Sequence, residues 1–449
     1  MAGKAETPIT KGWLYHPSYP DHWKRRPLYS LAQWINGLAF RDIQFSPSGM
    51  PVIKIAEIKG GISGQTKFTQ QTFDELVHVQ PGDLLFSWSG QPETSIDTFW
   101  WRGSEGWLNQ HVFRVTPADG IDPTFFYYLL RYLKPNFIGI ARNKQTTGLG
   151  HVTKRDLENM EGAYPEPPEQ RAIAHMLGTL DDKIELLRKQ NATLEAMARA
   201  LFKDWFVDFG PVRAKMEGRE PYLPREVWNL FPDRLVESEI EIPEGWHTVA
   251  SSDLIDFNPT EPLRKETPAL YLGMASLSTS GSWPDAPVIR PFGSGMRFRN
   301  GDTLLARITP CLENGKAAFI QCLPHDTVGW GSTEYIVLRT KEPVPAEYGY
   351  LLARNPNFRE HAIRSMTGTS GRQRAQGEAV AAFRVNVPEN GDVWRAFGHL
   401  VSPMFQSIKS NAEASASLAP LRDSLLPKLI SGDLRMKDLA LAWLDDALA

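Results

Sequence analysis

Cysteine is nearly missing from this chain: Cys311 and Cys322 are the only two among 449 residues. Two thiols exclude a disulfide framework and a cysteine-built zinc site. Long apolar runs are missing too. None approaches the roughly 20 residues of a membrane span, and no secretory leader is read at the start. A soluble protein of a reducing compartment is expected. Nor is one charge sign in excess, with 49 Lys and Arg against 52 Asp and Glu, a net charge of -3 and a pI near 6.4. A uniformly basic nucleic-acid coat is therefore excluded, whereas a local basic face is not. What is present is an ordinary globular composition, 42% hydrophobic and 22% charged, which excludes a disordered or collagen-like chain. By length alone the chain is about three domains' worth.

The chain repeats itself. Trp23 and Leu31 match Trp246 and Leu254, both 223 residues on. Pro51-Val52-Ile53 aligns with Pro268-Ala269-Leu270, and Gly82-Asp83-Leu84-Leu85 with Gly301-Asp302 followed by Leu304-Leu305. Pro123 with Leu129-Leu130 recurs as Pro345 with Leu351-Leu352, and Pro135-Asn136-Phe137 as Pro356-Asn357-Phe358. Matches that keep their order indicate two copies of one unit, each a globular part followed by a helix.

In copy one, Met50 to Glu57 and Asp83 to Trp88 read as strands, rich in Val, Ile, Leu and aromatics between Gly and Pro. Phe125 to Leu133 reads as a helix started by Asp122-Pro123 and ended by Pro135. Copy two offers strands near Ala269 to Met274, Thr303 to Ile308 and Tyr335 to Leu338, then a helix near Glu347 to Arg354. Strands and helices without strict alternation predict an α+β fold.

Two long helices carry the clearest periodicity. After Pro167-Pro168, Ile173, Leu177, Leu180, Ile184, Leu187, Asn191, Leu194, Ala198, Leu201 and Trp205 alternate four and three apart, the seam of a coiled coil. The same spacing, 224 residues on, gives Phe397, Val401, Met404, Ile408, Asn411, Ser415, Leu418, Arg422, Leu425 and Leu429. Pro403, Pro420 and Pro427 predict that the second helix is kinked or segmented. Buried against each other, the seams would form an antiparallel coiled coil. A stretch of about 39 residues extends roughly 58 Å as helix, a rod holding the globular parts at its ends. The alternative is that each stripe packs on its own globule.

Copy one's helix ends in Leu201-Phe202-Lys203-Asp204-Trp205-Phe206-Val207-Asp208-Phe209, then Pro211-Val212-Arg213-Ala214. The linker continues with Leu230-Phe231-Pro232-Asp233 and Ile242-Pro243-Glu244-Gly245-Trp246, and copy two ends in Leu425-Leu426-Pro427-Lys428-Leu429-Ile430-Ser431-Gly432. With Pro168-Glu169-Gln170-Arg171, these phrases resemble the specificity subunits of type I restriction–modification systems over roughly residues 10 to 436. At its own helix start copy two departs from the pattern, since Val387-Pro388-Glu389-Asn390-Gly391 lacks the Glu-Gln pair.

The resemblance implies target recognition domains at 1–165 and 245–388. It implies conserved helical regions at 166–210 and 389–436, a linker at 211–244 and a tail at 437–449. Each recognition domain would read one half of a bipartite site on double-stranded DNA. The helices would space the two and dock two methylation subunits. S-adenosylmethionine, ATP and magnesium are expected in the methylation and restriction subunits, with no cofactor and no metal in this chain. A bacterial or archaeal cytoplasm, without membrane contact, is the implied location.

Nothing in the chain reads as catalytic on its own. Pro291-Phe292-Gly293-Ser294-Gly295 and Asn258-Pro259-Thr260-Glu261 imitate amino-methyltransferase motifs but lack the acid, proline and aromatic needed to hold a base beside a methyl donor. Pro20-Asp21 with Glu57-Ile58-Lys59 has the residue types of a magnesium-dependent nuclease, yet copy two reads Met274-Ala275-Ser276 near that place. Asn314-Gly315-Lys316 lacks the other residues of a phosphate loop. An autonomous nuclease or methyltransferase, or a coiled-coil scaffold for proteins, are the competing readings.

DNA readout needs phosphate contacts that position and base-edge contacts that specify. In copy one the loop Asn143-Lys144-Gln145-Thr146-Thr147-Gly148, with His151, Lys154 and Arg155, is rich in suitable donors. Copy two offers Thr367-Gly368-Thr369-Ser370-Gly371-Arg372-Gln373-Arg374, with Gly371 set against Gly150. The segments after each Gly-Asp strand are second candidates, carrying Trp88 and Ser89 in copy one and Arg307 and Thr309 in copy two. Lys24-Arg25-Arg26, Lys54 and Lys59 are further sources of phosphate charge. Ordinary solvated loops and surface charges are the bland alternative.

Overall fold

The computed structural model describes residues 19–145, 148–237, 241–368 and 372–436. The chain divides into two compact units, Met1–Lys183 with Leu418–Ala449, and Ile184–Ser417. The divisions fall inside the two long helices, so each unit owns one end of both. No helix among the described residues is long and apolar enough to cross a membrane.

The first unit holds an antiparallel sheet in the order Ala32–Asn36, Val112–Pro117, Leu84–Ser87, Asp97–Trp100. A second sheet runs Phe68–Thr69, Met50–Ile53, Gly106–Leu108, His78–Val79, with its middle pair parallel. In the second unit the order Ile255–Phe257, Tyr335–Thr340, Thr303–Ala306, Ala317–Phe319 repeats the first sheet. Val288–Pro291, Pro268–Leu272, Gly329–Gly331, Arg297–Phe298 repeats the second, again with a parallel middle pair. Two sheets with the same order and the same single parallel contact make the repeat a repeat of topology.

Hydrogen-bond register corrects the alignment drawn from sequence. Val52 and Trp107 pair as Tyr271 and Trp330 do, so Val52 corresponds to Tyr271, not Ala269. That error is two residues, which leaves every side chain on its face and is invisible to a period-two pattern. Leu84 opposes Val115 as Thr303 opposes Leu338, so Leu84 corresponds to Thr303, one residue before Leu304. Leu84–Ser87 and Thr303–Ala306 are buried on both faces, and a strand without alternation gives no phase.

Met50 to Glu57 is not one strand. It ends at Ile53, and Ile55–Gly60 turns helical because the Lys54 amide donates to Glu57 Oε2 at 3.1 Å. Pro135 does not end its helix either, which runs from Pro123 to Asn143. At its start Asp122 Oδ1 accepts from the amides of Thr124 and Phe125, the expected cap. Pro135 lies on the solvent side, while Phe137, Ile140 and Ala141 beyond it are buried in the core of the unit. Their burial offsets the one lost hydrogen bond. In copy two the chain does break, into Ala346–Arg354 and Pro356–Arg364. There Asn355 Oδ1 accepts from the amides of Asn357 and Phe358, and Lys134, the corresponding residue, has no oxygen to do the same.

The long helices run Pro167–Phe206 and Gly391–Ser431. The second is one uninterrupted helix, which corrects the expected segmentation. Pro403 and Pro420 are exposed, so the carbonyls deprived of an amide partner can be hydrated. Inside the second unit the two helices are antiparallel, with Asn191 meeting Asn411 and Trp205 packing on Phe397 at 5.6 Å. Inside the first unit Asp181 pairs with Arg422 at 2.5 Å and Glu169 with Arg435 at 3.9 Å, the same antiparallel sense.

Ile173, Leu177, Ile184, Leu187, Ala198, Trp205, Phe397, Val401, Ile408 and Leu429 are buried. Leu180, Asn191, Leu194, Leu201, Met404, Asn411, Ser415, Leu418, Arg422 and Leu425 are half-buried. Packing on the globules, set out above as the alternative, occurs as well. Ile173, Leu177 and Leu429 share a core with Trp23 and Phe125, and Trp205 and Phe397 share one with Trp246 and Tyr348. Hence Phe202, Phe206, Trp394 and Phe405, off the seam, are also buried.

Candidate nucleic-acid interface

The two candidate segments of each copy, about 60 residues apart in sequence, are neighbours in space. In copy one Ser89-Gly90 pairs antiparallel with Gly150-His151, Ser89 opposite His151, and the Val152 amide donates to the Trp88 carbonyl at 2.8 Å. In copy two Ile308 bridges Arg374, the Thr309 amide donates to the Gln373 carbonyl at 3.0 Å, and the Ala375 amide to that of Arg307 at 2.8 Å. Both copies thus build one frame. Trp88, Ser89 and Gly90 stand where Arg307, Ile308 and Thr309 stand, and Gly150, His151 and Val152 where Gln373, Arg374 and Ala375 do. Gly150 therefore corresponds to Gln373, not to Gly371. Periodicity cannot show this, because a single bridge between distant loops leaves no repeating pattern.

A third segment borders each frame and carries no signal in the sequence. The Trp88 amide donates to the His111 carbonyl at 3.2 Å and the Arg307 amide to that of Glu334 at 3.0 Å. In copy two this brings a carboxylate between two guanidiniums. Arg374 Nε lies 2.9 Å from both Glu334 oxygens, and Arg374 Nη2 is 2.8 Å from Oε1. Arg307 Nε is farther off, 3.9 Å from Oε2. The Arg374 guanidinium holds the Glu334 carboxyl below the usual carboxylate range. In copy one the same place is aromatic. Trp88 meets His111 edge-on at 5.8 Å, stacks on Phe113 at 5.7 Å and donates its indole N–H to Asn36 Oδ1 at 3.0 Å.

Other candidates are held by local partners. Lys144 Nζ lies 2.5 Å from Asp156 Oδ1, and Asp156 also accepts from the Thr153 amide and hydroxyl. Burial pushes the Asp156 carboxyl up, but the Lys144 and Thr153 hydrogen bonds outweigh it and hold the group below its ordinary range. Gln145 closes its own loop on the Gly148 carbonyl. Lys154 sits over the Tyr29 ring at 4.7 Å, and Lys24 pairs with Glu166. Arg155 and Arg372 are exposed beside the two frames. Thr146, Thr147, Thr369, Ser370 and Gly371 lie outside the described residues.

The enzyme-like motifs have structural roles. Glu57 caps a helix turn, Glu261 is buried against Arg339, and Lys316 donates to the Met274 carbonyl. A side chain at Gly295 would meet the Gly331 carbonyl oxygen at 1.9 Å, so close packing alone demands that glycine. Asn258 and Gln376 line a cleft of about 430 Å³ near the second frame.

A family profile described as the type I restriction modification DNA specificity domain matches residues 20–196. The chain is 24% identical to the type I restriction enzyme MjaIX specificity subunit of Methanocaldococcus jannaschii, over 74% of this chain and 73% of that one. It is 23% identical to the HindI specificity subunit of Haemophilus influenzae, over 79% and 87%. Among solved structures, the type I restriction–modification S subunit from M. genitalium shares the fold, with a TM-score of 0.50 at 16% identity over 91% of this chain and 96% of that one. A duplicated α+β lobe, two long antiparallel helices and these relatives make the chain similar to the specificity subunits of type I restriction–modification systems.

Proposed function

We propose that each lobe of this chain reads one half of a bipartite site on double-stranded DNA, and that the long helices carry two methylation subunits. The chain is a DNA-recognition subunit and not itself a catalyst. Its relatives are specificity subunits, and Glu57 and Glu261 of its enzyme-like motifs are committed to a cap and an ion pair. S-adenosylmethionine for adenine methylation, and ATP and magnesium for translocation and cleavage, belong to the methylation and restriction partners.

The observation that carries the two-lobe reading is the shared frame. Segments 88–90 and 150–152 in one copy, and 307–309 and 373–375 in the other, present polar and aromatic side chains from fixed backbone. A fixed backbone is what base readout needs, since a bidentate contact tolerates little misalignment. The exposed cations Arg155 and Arg372 beside each frame supply phosphate contacts.

Methylome sequencing of cells carrying this chain with its methylation subunits tests the proposal. A split adenine motif is expected, lost when the chain is deleted. Exchanging residues 245–388 for those of a relative should alter one half of the motif and leave the other. A continuous motif, or methylation that persists without the chain, would sink the reading.

A further inference from the structure

Arg374 differs from the other exposed cations of its lobe in how it is held. Its backbone amide donates to the Thr367 carbonyl at 2.9 Å and its carbonyl accepts from the Thr367 amide at 3.1 Å, while Ile308 bridges it on the other side. The residue is thus pinned between two neighbouring segments. Its side chain is pinned as well, because Glu334 takes the Nε and Nη2 edge of the guanidinium. A guanidinium has five donors in a rigid plane. With one edge occupied, the terminal edge formed by Nη1 and the outer hydrogen of Nη2 remains. The side chain is 41% exposed, and Nη1 makes no hydrogen bond among the described residues.

Two ligand chemistries fit a guanidinium edge on DNA, a phosphate and the O6/N7 pair of guanine. The carboxylate discriminates between them. Arg307, Arg374 and Glu334 together carry a single positive charge, and a phosphate approaching Arg374 would also approach Glu334. A phosphate site is better served by cations without a carboxylate alongside. A guanine edge carries no net charge and rewards orientation more than charge. A carboxylate that fixes the plane of the arginine supplies that orientation, at little electrostatic cost to a neutral acceptor.

Resting on the bipartite reading above, we propose that Arg374 reads a guanine in the half-site of the second lobe, with Glu334 as the residue that positions it. Arg307, 3.9 Å from the same carboxylate, flanks the pair. The first lobe carries His151, His111 and Trp88 at the corresponding places, so its half-site is read by different chemistry on the same frame.

The test uses the complex of this chain with its methylation subunits and duplexes bearing the split motif found by methylome sequencing. The half-site of the second lobe is identified by exchanging residues 245–388. Each guanine of that half-site, on either strand, is replaced in turn by 7-deazaguanine, which lacks the N7 acceptor. One replacement should weaken binding by the wild-type complex about 10- to 100-fold and have no effect with Arg374→Ala. Glu334→Gln should relax discrimination at that base pair and leave the other half-site unchanged. Arg374→Lys, which keeps the charge and loses the fork, should behave as the alanine variant does.

A half-site without guanine on either strand would overturn the inference. So would an Arg374→Ala complex that keeps its sensitivity to every deaza position. Equal weakening on all sequences, with a shallower salt dependence and rescue by Arg374→Lys, would make Arg374 a phosphate contact and overturn it too. Each of these failures leaves the split motif in place, whereas failure of the bipartite reading removes the motif itself.

Discussion

Tyr350 shows how much a single hydroxyl can hold. It is buried, donates to Glu195 Oε1 at 2.8 Å and accepts from Arg354 Nε at 2.8 Å. Glu195 is itself only 3% exposed and belongs to the first long helix. Tyr350→Phe leaves that carboxylate short of a donor, and chemical denaturation should show a loss of about 1–3 kcal/mol. A second residue-scale expectation concerns pH. Asp156 titrates below its ordinary value in the folded chain. Its contribution is therefore complete above the unfolded carboxyl value, about 4, and is lost as pH falls through the lower folded value. The protection factors of the amides from Thr153 to Leu157, with the intrinsic pH dependence of exchange divided out, should stay high at neutral pH and fall only below about pH 4. In Asp156→Asn they should be low at both. Glu334 marks the limit of sequence reading at this scale. Its place depends on a backbone bridge to Arg307 that no spacing reveals, whereas Arg307 is a candidate from its position after a Gly-Asp strand and Arg374 from a loop rich in donors.

Secondary-structure elements respond to single capping atoms. One proline signal, Pro135 and Pro356, has two outcomes because Asn355 can cap a new helix and Lys134 cannot. Asn355→Ala should cost about 1 kcal/mol. Pro135→Ala, which restores a main-chain donor on the solvent side, should stabilise the first unit by about 1–3 kcal/mol in thermal or urea unfolding. The long helices offer a cycle. Asn411 Nδ2 donates to Asn191 Oδ1 at 2.9 Å, and Asn191 Nδ2 to the Ile408 carbonyl at 3.2 Å. Asn191→Leu alone strands Asn411 and should destabilise. Asn191→Leu with Asn411→Leu should recover the loss or exceed it, as an apolar seam does. A double variant less stable than the sum of the singles would refute this account. Helix periodicity was legible because the seam is buried along much of its length. The breaks were not, because a proline's effect is decided by whether its side faces solvent and by the residue before it.

At the scale of the molecule, a net charge of -3 limits what the chain does alone. Counterion release scales with the phosphates neutralised, and several basic side chains, Lys24 and Lys144 among them, are already paired with carboxylates. The chain by itself should bind DNA weakly, with a shallow dependence of log K on log salt. The complex with methylation subunits should bind tightly and with a steeper slope, as fluorescence anisotropy across a salt series would show. An equal slope for both would mean that the lobes supply the phosphate contacts unaided. The shared frame has one more consequence. Equivalent backbone positions carry Trp88 in one lobe and Arg307 in the other, His151 and Arg374, His111 and Glu334. On the reading proposed above, a new target word would be spelled by exchanging side chains at these fixed backbone places, and point mutation would diversify what the scaffold recognises.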